Sequence, residues 1–193
     1  MTLDHQHVVI MGGSSGMGLA TAEQALREGA RVTIAGRSQE RLDAAVARLR
    51  ERLPQADAAG RAADFTDDAA LNALFEATGP VDHLVLAASH AAAWGSFTDV
   101  SRDALRTALE HKLLGYWATL QAALPVLRRD GSVTMLGGAA SRTAIPGTAG
   151  LAAVNGAINQ MAQTLARELA PLRINVVSPG TIDTPAYDGM PEA

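Results

Sequence analysis

The sequence lacks cysteine altogether and has little lysine or tyrosine. Its 193 residues include one lysine, Lys112, and two tyrosines, Tyr116 and Tyr187. Without cysteine there is no disulfide, no thiolate nucleophile and no cysteine-ligated zinc or iron–sulfur cluster, and we predict no metal site. Long apolar runs are also missing, because no uncharged apolar stretch reaches the ~18–20 residues that span a bilayer. The formal net charge of −4 and the pI of about 5.7 argue against a nucleic-acid or anionic-membrane partner.

What the chain does contain is typical of a folded globular domain. Hydrophobic residues make up 48% and charged residues 19%, which excludes a disordered or collagen-like chain. The first residues carry no basic stretch followed by an apolar run, so they do not predict a secretory signal. We therefore expect a cytoplasmic protein with a single domain over residues 1–193.

Short apolar runs alternate with longer segments of helical period that are rich in alanine, leucine and arginine. The apolar runs predict six strands, at 7–11, 31–35, 61–64, 82–88, 132–136 and 173–177. The longer segments predict helices at 18–28, 38–53, 67–78, 101–128 and 151–170. Strands that are apolar throughout and alternate with helices indicate a parallel sheet covered on both faces. The predicted fold class is therefore α/β, a doubly wound, Rossmann-like domain.

A glycine-rich loop joins the first predicted strand to the first predicted helix, with the sequence Met-Gly-Gly-Ser-Ser-Gly-Met-Gly at 11–18. In such a loop Gly12 permits a tight turn, Gly16 lets the backbone approach a pyrophosphate, and Gly18 allows close helix–strand packing. The N-terminus of the following helix offers free N–H groups and a partial positive charge to an anion. Because this loop lies in the first βαβ unit of a doubly wound chain, it predicts a dinucleotide site rather than an ordinary turn.

The spacing G-x-x-x-G-x-G of this loop resembles that of the short-chain dehydrogenase/reductase family. The resemblance continues through Asp64 after the third strand, 121–125 at the end of the fourth helix, 131–133 at the start of the fifth strand, and Arg-Ile-Asn-Val-Val-Ser-Pro-Gly at 173–180. It implies an oxidoreductase that transfers a hydride between a nicotinamide cofactor and a carbonyl or related small molecule of unspecified identity. It also implies a homodimer or homotetramer assembled through the helices at 102–128 and 151–170.

The resemblance, taken residue by residue, implies a set of cofactor-binding residues in the loops that follow the strands. They are Gly12, Ser14, Ser15, Gly16, Met17, Gly18, Arg37, Ser38, Asp64, Phe65, Ala87, Ala88, Pro179, Gly180, Ile182 and Thr184.

The end of the second predicted strand bears on the choice between NADP(H) and NAD(H). A site that prefers NAD usually has an acid about 20 residues beyond the glycines, where it holds the ribose 2′-hydroxyl. Here the strand ends Ile-Ala-Gly-Arg-Ser at 34–38, without an acid. Arg37 is suited to pair with a 2′-phosphate through two hydrogen bonds, and the Ser38 hydroxyl to add another. We predict NADP(H); the alternative is that Arg37 is a solvated arginine at the entry to a helix.

The resemblance breaks at the residues that carry out the chemistry. Family members typically use a Tyr-x-x-x-Lys pair on the fifth helix, a serine after the fifth strand and an asparagine on the fourth helix. In this sequence the four positions hold Leu151, Asn155, Gly138 and Lys112. A slipped alignment does not restore the pair, since no tyrosine lies between 116 and 187 and no lysine follows 112. The family's usual proton relay is absent.

Lysine and asparagine have exchanged places between the two helices. Because the family brings these two positions together, Lys112 and Asn155 are expected to restore an ammonium–amide contact, although a purely structural polar pair is an open alternative. We predict Lys112, Asn155 and His90 as catalytic residues. His90 follows the fourth strand, at the edge of the sheet where ligands bind, and histidine titrates near neutral pH. The alternative is that His90 is a loop histidine near the cofactor without a chemical role.

Three further side chains are alternatives for the missing acid. Tyr116 lies four residues beyond Lys112 and so on the same helical face, unless it packs in the core or in a subunit contact. Ser141 is a candidate donor in an otherwise ordinary loop, and Tyr187 lies in the tail. The chain stops at Ala193, soon after the substrate lid of the family begins, so we expect the lid and the final edge strand to be short or missing.

Three functions remain open at this point. The first is an NADP(H)-dependent oxidoreductase with a nonstandard proton donor. The second is a catalytically silent NADP(H)-binding protein, either a redox sensor or a non-catalytic subunit. The third, a scaffold without nucleotide binding, is disfavoured because simple packing does not require the glycine loop together with Arg37 and Asp64.

Overall fold

Six parallel strands form one sheet in the computed structural model, which describes residues 2–88 and 92–182. The strands are β1 (His7–Met11), β2 (Arg31–Gly36), β3 (Ala58–Ala62), β4 (Val81–Leu86), β5 (Leu127–Leu136) and β6 (Arg173–Val177). Their spatial order is β3-β2-β1-β4-β5-β6. The chain winds outward in one direction from β1 and in the other from β4, which confirms the doubly wound α/β fold.

Helices cover both faces of the sheet. They are α1 (Gly16–Arg27), α2 (Gln39–Arg52), α3 (Asp68–Thr78), α4 (Arg102–Ala108), a π-helical turn (Leu109–Leu114), α5 (Gly115–Ala123) and α6 (Ala149–Glu168). A short 3₁₀ turn (Ala139–Ser141) follows β5. In the parts of the chain that the structure describes, no helix is long and apolar enough to cross a membrane.

Two apolar cores lie on opposite faces of the sheet, and β1 contributes to both. Val8 and Ile10 belong to the core beneath α1 and α2, whereas Val9 and Met11 belong to the core beneath α3, α5 and α6. Successive side chains of a strand point to opposite faces, so a strand buried on both sides must be apolar at every position. This explains why the strands are continuous apolar runs in the sequence.

The long helix predicted at 101–128 is shorter and is interrupted. Ser101 caps it as expected, its hydroxyl accepting a hydrogen bond from Ala104 N. However, the helix ends at Ala123, because Pro125 has no N–H and its ring disfavours a helical conformation at the preceding residue. A π-helical turn also separates α4 from α5. The apolar periodicity gave no sign of this turn, since one wider turn shifts the pattern by a single residue.

Other boundaries also differ from the prediction, and three of them are informative. β3 lies at 58–62 rather than 61–64, because this edge strand is exposed on one side and carries only a weak apolar signal. β5 begins at Leu127 rather than Ser132, and its pairing with β4 is irregular: Leu127 lies opposite Val81, but Ser132 lies opposite His83. α6 begins at Ala149 and ends at Glu168, two residues earlier at each end than predicted.

Candidate active site

The loops after β1 and β4 meet at the carboxyl edge of the sheet, by which we mean the edge where the parallel strands end. The strand order reverses between these two strands, and such a switch point is where open α/β sheets bind ligands. The backbone ties the loops together here, since Ala87 N donates to Met11 O at 2.8 Å. The candidate site is built around this crevice.

The glycine loop has a geometry that only glycine allows at two positions. Gly12 has a φ of +83°, and a Cβ there would lie 2.6 Å from Ala88 N. A Cβ on Gly18 would collide with the Gly12 carbonyl oxygen. Helix α1 begins at Gly16, two residues before the predicted start, and the Ser15 side chain makes no capping hydrogen bond. The first N–H groups of α1 are therefore left for another acceptor, which fits the pyrophosphate of a dinucleotide.

The residues predicted to hold the adenosine half follow β2 and β3. Arg37 is exposed directly after β2, and Ser38 Oγ accepts a hydrogen bond from Arg41 N at 3.3 Å at the start of α2. Asp64 accepts hydrogen bonds from Thr66 N at 2.9 Å and Thr66 Oγ1 at 2.8 Å. The backbone hydrogen bond from Thr66 is the main reason that the pKa of the Asp64 carboxyl is lowered.

The ring of Phe65, next to Asp64 in the sequence, packs against other side chains and the backbone of this chain. A Cβ on Gly115, the first residue of α5, would lie 2.5 Å from Phe65 Cδ2, so the ring rests directly on the helix backbone. The ring also meets the His111 ring edge-on, with centroids 6.1 Å apart. These contacts give Phe65 a packing role next to the predicted adenine contact.

The remaining predicted cofactor residues follow β4 and β6. Ala88 approaches the glycine loop as described, and the β6 exit is tied to the β5 exit by Gly137 N to Val177 O and Ala139 N to Pro179 O, both at 2.8 Å. Gly180 and Ile182 follow in the exposed segment. Thr184 lies outside the described residues.

Lys112 and Asn155 form the contact that their exchange suggested. Lys112 Nζ donates to Asn155 Oδ1 at 2.8 Å and to Gly137 O at 2.9 Å. Lys112 is 8% exposed and Asn155 is 6% exposed. The π-helical turn supplies Lys112, the loop after β5 supplies Gly137, and α6 supplies Asn155. Three elements distant in sequence thus meet at one ammonium group.

Burial sets the protonation of this group. Loss of hydration lowers the pKa of Lys112 to about 8. Both of its hydrogen-bond acceptors are uncharged, and none of the ion pairs within residues 2–88 and 92–182 includes Lys112. The lowered pKa brings the amine closer to proton exchange near neutral pH, which favours general acid–base chemistry.

The other candidates for the missing acid differ in where they lie. Tyr116 is 2% exposed, and its hydroxyl lies within donating distance of Ala88 O (2.8 Å) and Leu136 O (3.2 Å), while burial raises its pKa. It therefore packs in the core and holds the β4 exit rather than facing a ligand. Ser141 Oγ donates to Gly138 O at 2.8 Å and accepts from Asn159 Nδ2 at 2.7 Å, so its proton is used locally. His90 and Tyr187 lie outside the described residues.

Sequence reasoning missed two parts of this arrangement. The Gly137 carbonyl is a backbone acceptor and leaves no residue signature. Asn159 and Ser178 carry buried side-chain oxygens that have no hydrogen-bond partner among the described residues, near the place a Gly137 side chain would occupy. Both residues lie at fixed distances from the family's motifs in the sequence. However, a polar residue on a helix or after a strand is too common to indicate a functional role by itself.

Comparison with known proteins identifies the family. A family model described as Enoyl-(Acyl carrier protein) reductase matches residues 12–193. The short-chain dehydrogenase/reductase ATR9 of Stachybotrys chlorohalonatus is 30% identical over 205 residues, covering 100% of this chain and 79% of that protein.

Solved structures share the fold over nearly the whole chain. A variant of actinorhodin polyketide ketoreductase, solved with NADPH, has a TM-score of 0.87 and 25% identity, covering 100% of this chain and 79% of that one. An NADPH-bound short-chain oxidoreductase from Pseudomonas aeruginosa PAO1, described as containing an atypical catalytic center, has a TM-score of 0.89 and 28% identity, covering 96% and 76%. With the matching family model and the 30% identical relative, these likenesses show that the chain belongs to the short-chain dehydrogenase/reductase family of oxidoreductases.

Proposed function

We propose that this protein is an NADPH-dependent reductase of a carbonyl or related small molecule in which Lys112, rather than a tyrosine, donates the proton. The observation that carries the proposal is the buried Lys112 ammonium held by Asn155 Oδ1 and Gly137 O. An ammonium has three N–H groups, and these two acceptors take two of them. Because no other acceptor among the described residues bonds to Nζ, we expect the third N–H to donate to a substrate oxygen.

Both protonation states of Lys112 fit the same surroundings. After the proton leaves, the neutral amine still has two N–H groups, which match the two acceptors, and its lone pair points where the third N–H was. Proton transfer therefore breaks no internal hydrogen bond. A positive charge at this place also stabilises the negative charge that develops on the substrate oxygen.

A bound nicotinamide would supply the hydride. The Gly12–Gly18 loop and the N-terminus of α1 are suited to hold the pyrophosphate, and Arg37 with Ser38 to hold a 2′-phosphate. Ser38 supports this role, because its oxygen accepts from Arg41 N and its proton stays available to donate. The NADPH found in two structures of this family supports the same choice of cofactor.

Two measurements test the function. Excess NADPH should raise the melting temperature, since a ligand at ~100 times its Kd adds about 2.7 kcal/mol of stability. NADPH oxidation is then followed with acetone, cyclohexanone and benzaldehyde. We expect Lys112→Met to slow turnover by roughly 10²- to 10⁴-fold, the contribution of a general acid, with the NADPH-induced shift retained. Turnover of Lys112→Met at the wild-type rate would show that another group donates the proton.

The cofactor preference has its own test. Arg37→Glu should weaken NADPH binding by roughly 10- to 100-fold, the value of a charged hydrogen-bond pair, without weakening NADH. Arg48→Glu makes the same charge change further along α2, at an exposed position, and should leave both affinities unchanged. Equal loss in the two variants would contradict a specific role for Arg37.

One observation favours a second function, the silent NADP(H)-binding protein. No tyrosine hydroxyl in the described residues faces the site, because the Tyr116 hydroxyl is turned into the core. One experiment distinguishes the reductase from the silent protein. NADPH binding without NADPH oxidation by any of the three carbonyl compounds would support the silent protein.

A further inference from the structure

Gly138 is a glycine for a reason that does not lie in its backbone. Its φ of 178° and ψ of 147° are extended values that any residue adopts. A Cβ at this position would lie 2.6 Å from Asn155 Nδ2 and 3.2 Å from Asn155 Cγ. The amide of Asn155 therefore fills the space that a side chain at 138 would occupy, and in a close-packed site both cannot be present.

The hydrogen bond to Lys112 fixes which end of the Asn155 amide points where. A lysine ammonium has only donors, so the amide oxygen must face Nζ. Nδ2 is then the end beside Gly138, and no acceptor among the described residues bonds to it. Gly138 and Leu151, which precedes Asn155 by one helical turn, are only half-buried, so the core does not seal this side of Asn155.

We propose that Asn155 is a second donor to the substrate oxygen, with Oδ1 holding Lys112 and Nδ2 presented to the substrate, and that Gly138 is the positioning residue that makes room for it. This inference rests on the proposed function. In the reduction, the substrate carbon gains a hydride and its oxygen gains the proton of Lys112, which becomes a neutral amine. Asn155 loses no proton; Nδ2 stabilises the negative charge on the oxygen before that proton arrives.

Because the sequence has a single lysine, the contact between Lys112 and Asn155 can be followed by NMR without measuring turnover. Protein grown with isotope-labelled lysine gives one side-chain NMR signal, that of Lys112, whose titration with pH reports its hydrogen bonds. The elements packed against Nζ contribute the neutral groups Gly137 O and Asn155, and Glu110 and His111 are the titratable neighbours on its own turn.

Gly138→Ala should push the Asn155 amide away from Lys112. Loss of that acceptor disfavours the charged form, so the titration midpoint should fall by roughly half a unit to one unit. Gly156→Ala is the matched control: it lies next to Asn155 on α6, and a Cβ there meets nothing within 4 Å. An unchanged midpoint in Gly138→Ala, or an equal change in Gly156→Ala, would overturn the positioning role.

A double-mutant cycle distinguishes a clash with the Asn155 amide from a general loss of stability. If the clash with the amide is what matters, Gly138→Ala should lower the melting temperature in the wild-type background and lower it less in an Asn155→Ala background. Equal losses in both backgrounds would mean that the methyl group collides with something else, and the inference would fall.

Asn155→Asp separates the two ends of the amide. The carboxylate keeps an acceptor for Lys112 and raises its titration midpoint, but it removes the Nδ2 donor. We expect turnover to fall by roughly 10²- to 10³-fold, the loss typical of one such donor, at a pH where Lys112 is charged. Wild-type turnover in Asn155→Asp would show that Nδ2 does not act on the substrate.

Failure of the inference and failure of the proposed function look different. If wild-type protein oxidises no NADPH with the three carbonyl compounds, the reductase and the donor role fall together, whatever the NMR midpoints show. If the wild type turns over and Gly138→Ala matches it in rate and midpoint, the reductase stands and the role of Gly138 falls.

Discussion

At the scale of single residues, the burial of the Lys112 side chain costs the folded state free energy. It is 8% exposed and has no charged partner in the part of the chain that the structure describes, and burying an unpaired charge ordinarily costs several kcal/mol. Hydrogen bonds to two acceptors reduce this desolvation penalty. They do not cancel it, because the pKa of Lys112 is still lowered to about 8. Because apolar packing alone does not require a buried amine, we propose that Lys112 is the proton donor.

The pKa of Lys112 predicts the pH dependence of reduction. In the proposed mechanism the ammonium is the donor, so the rate should be constant well below pH 8 and fall about tenfold per pH unit above it. The measurement is kcat/KM for NADPH-dependent reduction between pH 6 and 10, in roughly half-unit steps. Lys112→Arg keeps the charge but does not release it in this range, so its profile should be low and without this midpoint. A wild-type profile that is flat through pH 8 would contradict the assignment.

Tyr116 is predicted to matter for stability rather than for proton transfer. Tyr116→Phe removes the hydroxyl that Ala88 O and Leu136 O accept from, which should lower the free energy of unfolding by about 1–2 kcal/mol. Urea unfolding measures this loss. The midpoint of the pH profile of reduction should stay at its wild-type value; its disappearance in Tyr116→Phe would mean that the tyrosine takes part in proton transfer.

At the scale of elements, the two ends of the sheet are built for different purposes. The loops at the carboxyl edge leave hydrogen-bond donors available for a ligand. Near the opposite edge, two histidines form hydrogen bonds to other side chains of the protein. His83, on β4, bonds Ser132 Oγ at 2.8 Å and Gln6 Oε1 at 2.6 Å, and His7, on β1, bonds Thr33 Oγ1 at 2.8 Å. Burial is the main cause that lowers the pKa of both histidines.

These histidines predict a loss of stability in mild acid. Their folded-state pKa lies below the ordinary value of 6.5, so the unfolded chain binds more protons as the pH falls through 6.5. The free energy of unfolding should therefore decrease from pH 7.5 to 5.5, by at most about 1.4 kcal/mol per pH unit for each group. Urea unfolding at several pH values should show a shallower decrease in His83→Gln. The exposed His5→Gln is the matched control, and an equal pH slope in all three proteins would contradict this.

At the scale of the whole molecule, the exposed apolar face around α5 remains to be explained. Leu114, Trp117 and Leu124 are 48%, 49% and 37% exposed along the π-helical turn, α5 and its end. Large apolar side chains clustered on one helix face are typical of an association surface. Assembly through the helices at 102–128 and 151–170 remains a prediction, and this face is where we expect it.

Trp117→Glu tests that assembly. A charge in the centre of an apolar interface should weaken association by roughly 30-fold or more, the effect of removing a hot-spot residue. Light scattering coupled to size-exclusion chromatography measures the mass over a range of concentrations. Phe97→Glu, at an 84% exposed aromatic residue outside these helices, is the matched control. A monomeric wild type, or equal dissociation of the two variants, would contradict the predicted interface.

Local sequence pattern accounts for most of the fold and for part of the candidate site. The strand–helix alternation, the caps at Ser38 and Ser101, and the glycine loop are properties of short segments, so their residues alone predict them. The π-helical turn and the irregular pairing of β5 depend on how segments fit together. For that reason the sequence does not predict these two features.

The absence of a Tyr-x-x-x-Lys relay follows from the sequence by itself, because two tyrosines and one lysine at these positions cannot build it in any alignment. The arrangement that we propose in its place is visible only in the tertiary structure. Lys112 meets Gly137 and Asn155 across 25 and 43 residues of chain, and Gly138 makes room for the amide. Residue counts and periodicity describe one segment at a time, whereas the direction of a buried donor depends on which distant atoms pack around it.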